Sequence, residues 1–185
     1  MRWNVPNSLT LARFAAVPLF LVFLFMPGTV FKILALAIFA VAALTDAVDG
    51  YLARSLREVT TFGKLADPIA DKVLVAAALV SFVEFGELRA IPVIVILARE
   101  FLVTGLRIFA IAEGVVVPAS SLGKLKTISH VGLVLFILAT RYFGIGEWGE
   151  LAKQGFLYLA VALAVVSGGE YFWRARALFR PRLTP

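Results

Sequence analysis

Six apolar runs, at about 11–27, 31–53, 66–86, 90–112, 126–143 and 152–173, divide this chain, and only short connections separate them. Each is close to the roughly twenty residues that a helix needs to cross about 30 Å of hydrocarbon. The 185 residues are 61% hydrophobic, well above the roughly half-apolar content of soluble domains. The expectation is an all-α integral membrane protein of six transmembrane helices with a short N-terminal interfacial helix over residues 2–10, or a plain charged flank there, forming a single membrane domain over 1–185. Helix breakers support the divisions: Pro27 with Gly28, Gly63, Gly86, Gly114 with Pro118, and Gly144 with Gly146. The opening MRWNVPNSLTLARF resembles a signal peptide weakly, with no small-residue cleavage site after it, so it is read with the rest of the chain.

Charge sets the expected orientation. Arg54, Arg57, Lys64, Lys124 and Lys126 fall in connections on one side, together with both termini and Arg174, Arg176, Arg180 and Arg182, whereas the opposite side has Lys32, Arg89, Arg141 and Lys153. The positive-inside rule then puts the termini in the cytoplasm, with Trp3 and Trp173 at that interface and Trp148 at the other. The absence of cysteine excludes thiol chemistry and disulfides, and a net charge of +6 favours anionic partners, which for such a chain are lipid headgroups and phosphates rather than nucleic acid.

The strongest chemical signal is DAVDGYLARSLREVTTFGKLADPIAD, residues 46–71. Asp46 and Asp49 are three apart and Asp67 and Asp71 four apart, spacings that put each pair on one helix face. A carboxylate within a membrane helix costs about 3 kcal/mol on insertion scales unless something compensates it. Four together point to bound cations, the bland alternative being solvated helix ends. All-oxygen ligation selects magnesium or manganese, and two such ions hold four carboxylates economically. Gly50, Ala53 and Gly63 leave backbone open to a bulky ligand, and Arg54 is placed to meet a phosphate. Pro68 is read as a helix start or kink.

The pattern Asp46-x2-Asp49-Gly50-x2-Ala53-Arg54-x8-Gly63-x3-Asp67-x3-Asp71 resembles the signature of the CDP-alcohol phosphotransferases, eight residue identities at fixed spacing. VPNSLTLARFAAVPLF, ILAREFLVTGLRIFAIAEG and SLGKLKT are similar to the bacterial phosphatidylglycerophosphate synthase branch of that family. These blocks cover most of residues 5–127. The carboxyl-terminal third is expected to match in hydrophobicity alone and to contribute nothing to substrate choice. The resemblance implies a homodimeric six-helix enzyme of the cytoplasmic (inner) membrane with its active site on the cytoplasmic side. It also implies transfer of the phosphatidyl group from CDP-diacylglycerol to sn-glycerol 3-phosphate. Asp46, Asp49, Asp67 and Asp71 would then hold two divalent cations, with Asp71 also the general base. Asp49, Gly50, Ala53, Arg54 and Gly63 would line the CDP site.

An acceptor that carries a phosphate needs cations, and Arg99, Arg107, Lys124 and Lys126 are the candidates, Arg107 and Lys126 foremost. Each has a plainer reading: Lys124 and Lys126 as positive flanks, Arg99 paired with Glu100, Arg107 snorkelling. His130, the one histidine, is read as a packing or hydrogen-bonding residue, and Glu100 and Glu170 receive no role. Two rivals stand beside this reading. A phosphatidylserine, cardiolipin or phosphatidylinositol-phosphate synthase would share the aspartates with a different acceptor pocket. A divalent-cation transporter would explain the aspartates but not Gly50, Ala53, Arg54 and Gly63.

Overall fold

The computed structural model describes the backbone of residues 5–56, 61–115, 118, 120–143 and 146–176, with side chains there except at 5–10, 46–56, 61–68, 70 and 71. Among the described residues the chain is all-helical: α1 (Val5–Phe25), α2 (Thr29–Leu56), α3 (Thr61–Glu84), α4 (Ala90–Ala112), α5 (Ser121–Phe143) and α6 (Glu147–Ala175). Each apolar run falls on one of these helices, the first and third running two residues past the ends of α1 and α3. Gly63, expected as a breaker, is the third residue of α3. The expected interfacial piece is, from Val5 onward, continuous with α1. Pro6 does not interrupt it, because a proline in the first turn lacks an N–H that has no intrahelical partner anyway.

Two helices end on glycines that adopt a left-handed conformation. Gly86 (φ 72°) and Gly114 (φ 73°) each donate to the carbonyl three residues back, and the next residue reaches the carbonyl five back: Gly86 to Val83 and Glu87 to Phe82, Gly114 to Ile111 and Val115 to Ala110. This Schellman pattern satisfies carbonyls that would otherwise lack partners, and it ends α3 and α4 where the sequence places glycine.

The helices close into a bundle in which α1 packs on α2 and α3, α2 on α5, α5 on α6, α6 on α4, and α4 on α3. Phe20, Phe39, Leu79, Phe82, Ile96, Ile137 and Leu157 are fully buried, and the Phe20 and Phe39 rings lie 5.7 Å apart. The outer face is apolar as well, with Ile91, Phe101, Ile128 and Leu151 exposed, while Glu100, Lys126, His130 and Ser167 are buried. Charged and polar groups turned inward while the outer face is apolar is the distribution a hydrocarbon solvent favours. Among the described residues α5 and α6 are long and apolar enough to cross a membrane, and Leu11–Phe25 and Thr29–Thr45 are shorter apolar stretches. Trp148 and Trp173 are exposed near the two ends of α6, about 38 Å apart along a helix axis, a spacing suited to two interfacial belts.

At the end of the bundle where α3 meets α4, Arg141 of α5 donates to Glu87 at 2.6 Å and lies over the Phe85 ring at 4.0 Å. Lys153 of α6 is buried and pairs with Glu150 at 2.7 Å. The Arg141 contacts tie the α3–α4 connection to α5.

Candidate active site

Asp46 and Asp49 lie on α2, and Asp67 and Asp71 on α3; their side chains, with those of Gly50, Ala53, Arg54 and Gly63, lie outside the described residues. The backbone register still relates them. Asp46 is ten residues before the end of α2 and Asp71 ten after the start of α3, so both sit about 15 Å along their helices from the intervening connection. Residues 57–60 can span at most about 18 Å, and α2 contacts α3. Both aspartate pairs therefore belong to one end of the bundle at matching depth.

The described neighbours of these aspartates open onto a cavity. It encloses about 570 Å³ between α2, α3, α4 and α5, and Leu44 and Lys72, close in sequence to Asp46 and Asp71, line it with Arg13, Glu100, Lys126 and His130. The remaining wall is mostly alanine, leucine, valine and phenylalanine. A second, apolar groove of about 310 Å³ between α1 and α2 shares Arg13 and Ala42 with it.

The charged end of the cavity is organised around one carboxylate. Glu100 Oε1 accepts from Lys126 Nζ at 2.5 Å and from Arg99 at 3.1 Å, with His130 Nδ1 at 3.9 Å. Glu100 Oε2 lies 4.0 Å from Lys72 Nζ. The second arm of the Arg99 guanidinium donates to Ser167 Oγ of α6 at 3.0 Å. Helices α3, α4 and α5 thus meet through ionisable side chains and α6 joins them through the Ser167 hydroxyl, and Glu100, Lys126 and His130 are buried. A charge removed from water is tolerable when paired and hydrogen-bonded, and this arrangement pairs it.

The four cations proposed for an acceptor phosphate divide in the structure. Arg99 and Lys126 share Glu100. Arg107 is exposed and lies beside the Tyr171 hydroxyl, which is also within electrostatic reach of Arg99. Lys124 is exposed in the first turn of α5. That helix is capped by Ser120, whose Oγ accepts from the Gly123 N–H at 3.0 Å, the expected partner of an N-cap serine. Sequence reasoning gave Glu100 no role and did not weigh Lys72 or Ser167. The signal for Glu100 was its position in an apolar run beside Arg99. The proximity of Ser167, 68 residues away, has no sequence signal.

Comparison with known proteins bears directly on this geometry. The family model of CDP-alcohol phosphatidyltransferase matches residues 3–166. The chain belongs to that family. A Bacillus subtilis protein named CDP-diacylglycerol–glycerol-3-phosphate 3-phosphatidyltransferase is 41% identical over 192 residues, covering 94% of this chain and 97% of its own length. A Rickettsia bellii protein of the same name is 37% identical over 177 residues, covering 95% and 97%. A Mycobacterium tuberculosis protein named probable phosphatidylglycerophosphate synthase is 41% identical over 178 residues, covering 93% and 81%. The family match runs well past residue 127, which corrects the expectation that the carboxyl-terminal third matches in hydrophobicity alone. Helix α6, moreover, supplies the Ser167 hydroxyl that holds Arg99.

Proposed function

We propose that this phosphatidyltransferase moves the phosphatidyl group of CDP-diacylglycerol to the 1-hydroxyl of sn-glycerol 3-phosphate, giving phosphatidylglycerophosphate and CMP. The observation that carries the reading is the eight-residue signature from Asp46 to Asp71 on two adjoining helix segments, together with relatives so named over nearly the whole chain. The enzyme is read as one six-span domain of the cytoplasmic membrane with termini and active site in the cytoplasm. The interfacial role of residues 2–10 and the homodimer belong to the same reading and are supported by the resemblance.

In this reading Asp46, Asp49, Asp67 and Asp71 hold two magnesium or manganese ions. A set of carboxylates alone suits such hard cations, and the matched depth of the two pairs suits a shared site. When bound, the ions would neutralise the diphosphate and the charge that develops on the attacking and leaving oxygens. Gly50, Ala53 and Gly63 let the cytidine and diphosphate lie against the helix backbone, with Asp49 and Arg54 as polar contacts. Asp71 takes the proton of the acceptor hydroxyl as that oxygen bonds to the phosphatidyl phosphorus and the bond to CMP breaks. Lys126 and Arg99 form the inner part of the acceptor-phosphate cradle, and Arg107 and Lys124 its rim.

Membranes supplied with CDP-diacylglycerol and labelled sn-glycerol 3-phosphate test this. The expected result is a labelled lipid phosphate and release of CMP dependent on a divalent cation. Labelled serine, phosphatidylglycerol or inositol phosphate taken up in its place would assign the chain to another reaction of the family.

A further inference from the structure

A carboxylate is a surprising neighbour for a phosphate cradle, since it repels the ligand that the surrounding cations attract. Glu100 is nonetheless buried at the cavity wall, in contact with both inner cations. Lys126 explains why. Its side chain is 8% exposed, and an ammonium so far from water keeps its charge when an anion stands beside it. A lysine stem also has several rotatable bonds, so its head needs an anchor before it can present charge in one place. Among the described residues the Lys126 ammonium makes one hydrogen bond, to Glu100. Its other N–H groups therefore have no protein acceptor there.

Glu100 is itself anchored. Arg99 holds Oε1 with one arm and Ser167 with the other. A planar guanidinium holds two partners at once in a fixed geometry. Gly168 leaves the space for it: a β-carbon there would stand 3.1 Å from Arg99 Cγ. A strut therefore runs from α6 through Arg99 and Glu100 to Lys126 at the cavity.

We propose that Glu100 is a positioning residue: it holds the Lys126 ammonium charged and fixed at the cavity so that the acceptor's phosphate meets a preformed donor. The proposal rests on the functional reading above. It makes Glu100 act through Lys126 and not on substrate, and so predicts an effect on the acceptor alone. The competing possibility is that Glu100 is a placeholder, occupying the cations until phosphate displaces it. The two predict opposite signs.

The test uses the full chain purified in detergent or in lipid nanodiscs. Steady-state kinetics are measured for wild type, Glu100→Gln, Glu100→Asp, Lys126→Ala and the Glu100→Gln/Lys126→Ala pair, with thermal unfolding of each. Positioning predicts that Glu100→Gln raises KM for glycerol 3-phosphate about tenfold, within the range for a lost charge-assisted hydrogen bond. KM for CDP-diacylglycerol stays within twofold, and the double variant is no worse than Lys126→Ala alone. Glu100→Asp, which keeps the charge, recovers part of the loss and serves if the glutamine variant unfolds. A lower acceptor KM in Glu100→Gln, equal shifts in both substrates, or losses that multiply in the double variant each overturn the proposal. Inorganic phosphate supplies a readout independent of turnover. Positioning predicts that it raises the unfolding temperature of wild type but not of Glu100→Gln, and an equal rise in both overturns it. Should wild type fail to use glycerol 3-phosphate at all, the functional reading fails while the phosphate experiment still decides the role of Glu100.

Discussion

Gly168 of α6 lies against Arg99 of α4 so closely that a methyl group on Gly168 would come within 3.1 Å of Arg99 Cγ. Contacts that short force the neighbour to move, and here the neighbour is half of the strut that ends at Lys126. Gly168→Ala should therefore weaken glycerol 3-phosphate about three- to tenfold in KM while leaving CDP-diacylglycerol unchanged. Ser167→Ala, which deletes the hydroxyl that accepts from Arg99, should do the same, a hydrogen bond to a charged group being worth about 1.5–3 kcal/mol. Initial rates at varied acceptor concentration check both; a fall in kcat with both KM values constant would put α6 outside the acceptor site.

Asp71→Asn should lower kcat by about 10² to 10⁴, the usual worth of a positioned general base, in protein that still inserts. Asp46→Asn, Asp49→Asn and Asp67→Asn should lose most activity as well and shift the divalent-cation dependence to higher concentration. Assays across a magnesium or manganese titration at matched expression decide the matter. Near-parental activity in any two would remove the shared two-ion site.

Ala53→Leu should leave α2 intact, because leucine is a good helix former and at home in hydrocarbon. The added side chain fills the space proposed for the nucleotide, so binding and turnover of CDP-diacylglycerol should fall together while cation binding survives. Equilibrium binding of CDP-diacylglycerol to the variant measures this directly. Parental affinity would move the nucleotide to another face of α2.

Glu87 lies in the connection between α3 and α4, where burial pushes its carboxyl above the usual carboxylate range even though Arg141 and Lys153 pull it down. A raised folded-state pKa means that the folded protein holds the proton more tightly than the unfolded chain does. The associated stability is fully present below the ordinary glutamate pKa and is lost as pH rises through the raised value. Glu87→Gln, which cannot titrate, should flatten that slope. Unfolding temperatures of both proteins in detergent between pH 4 and pH 7 check it: wild type should lose stability relative to the variant as pH rises, and parallel curves would refute the shift.

Much of this molecule was legible before its coordinates. Apolar runs of nearly constant length dictated six helices, since a hydrophobic stretch that long has few other ways to satisfy its backbone. Gly86 and Gly114 marked their ends because α3 and α4 stop on left-handed residues. The aspartate pattern carried the family, because the chemistry depends on residue types at fixed helical spacing. Sequence failed where partners come from distant helices. Arg99 looked like a phosphate ligand or a neighbour pair with Glu100; the structure gives it Glu100 and also Ser167, and a contact across 68 residues leaves no periodic trace. The division of the four proposed cations into a pair that shares Glu100 and two exposed residues was hidden for the same reason. Helix order does not state which turns face one another.

The tie between Glu87, Arg141 and Phe85 has a mechanical consequence. It lies at the bundle end remote from the aspartates, whereas the 570 Å³ cavity adjoins the other end. A helix held at one end by such a tie can pivot about it, with a displacement that grows with distance from the tie, while the contacts of Glu100 and Ser167 restrain α4, α5 and α6 nearer the cavity. Over a helix of about 20 residues, roughly 30 Å long, a tilt of about 5° displaces the free end by nearly 3 Å. Movement of that size at the hollow end takes little distortion at the pinned one, so amide exchange should quicken from the Glu87 end of α3 towards its start at Thr61.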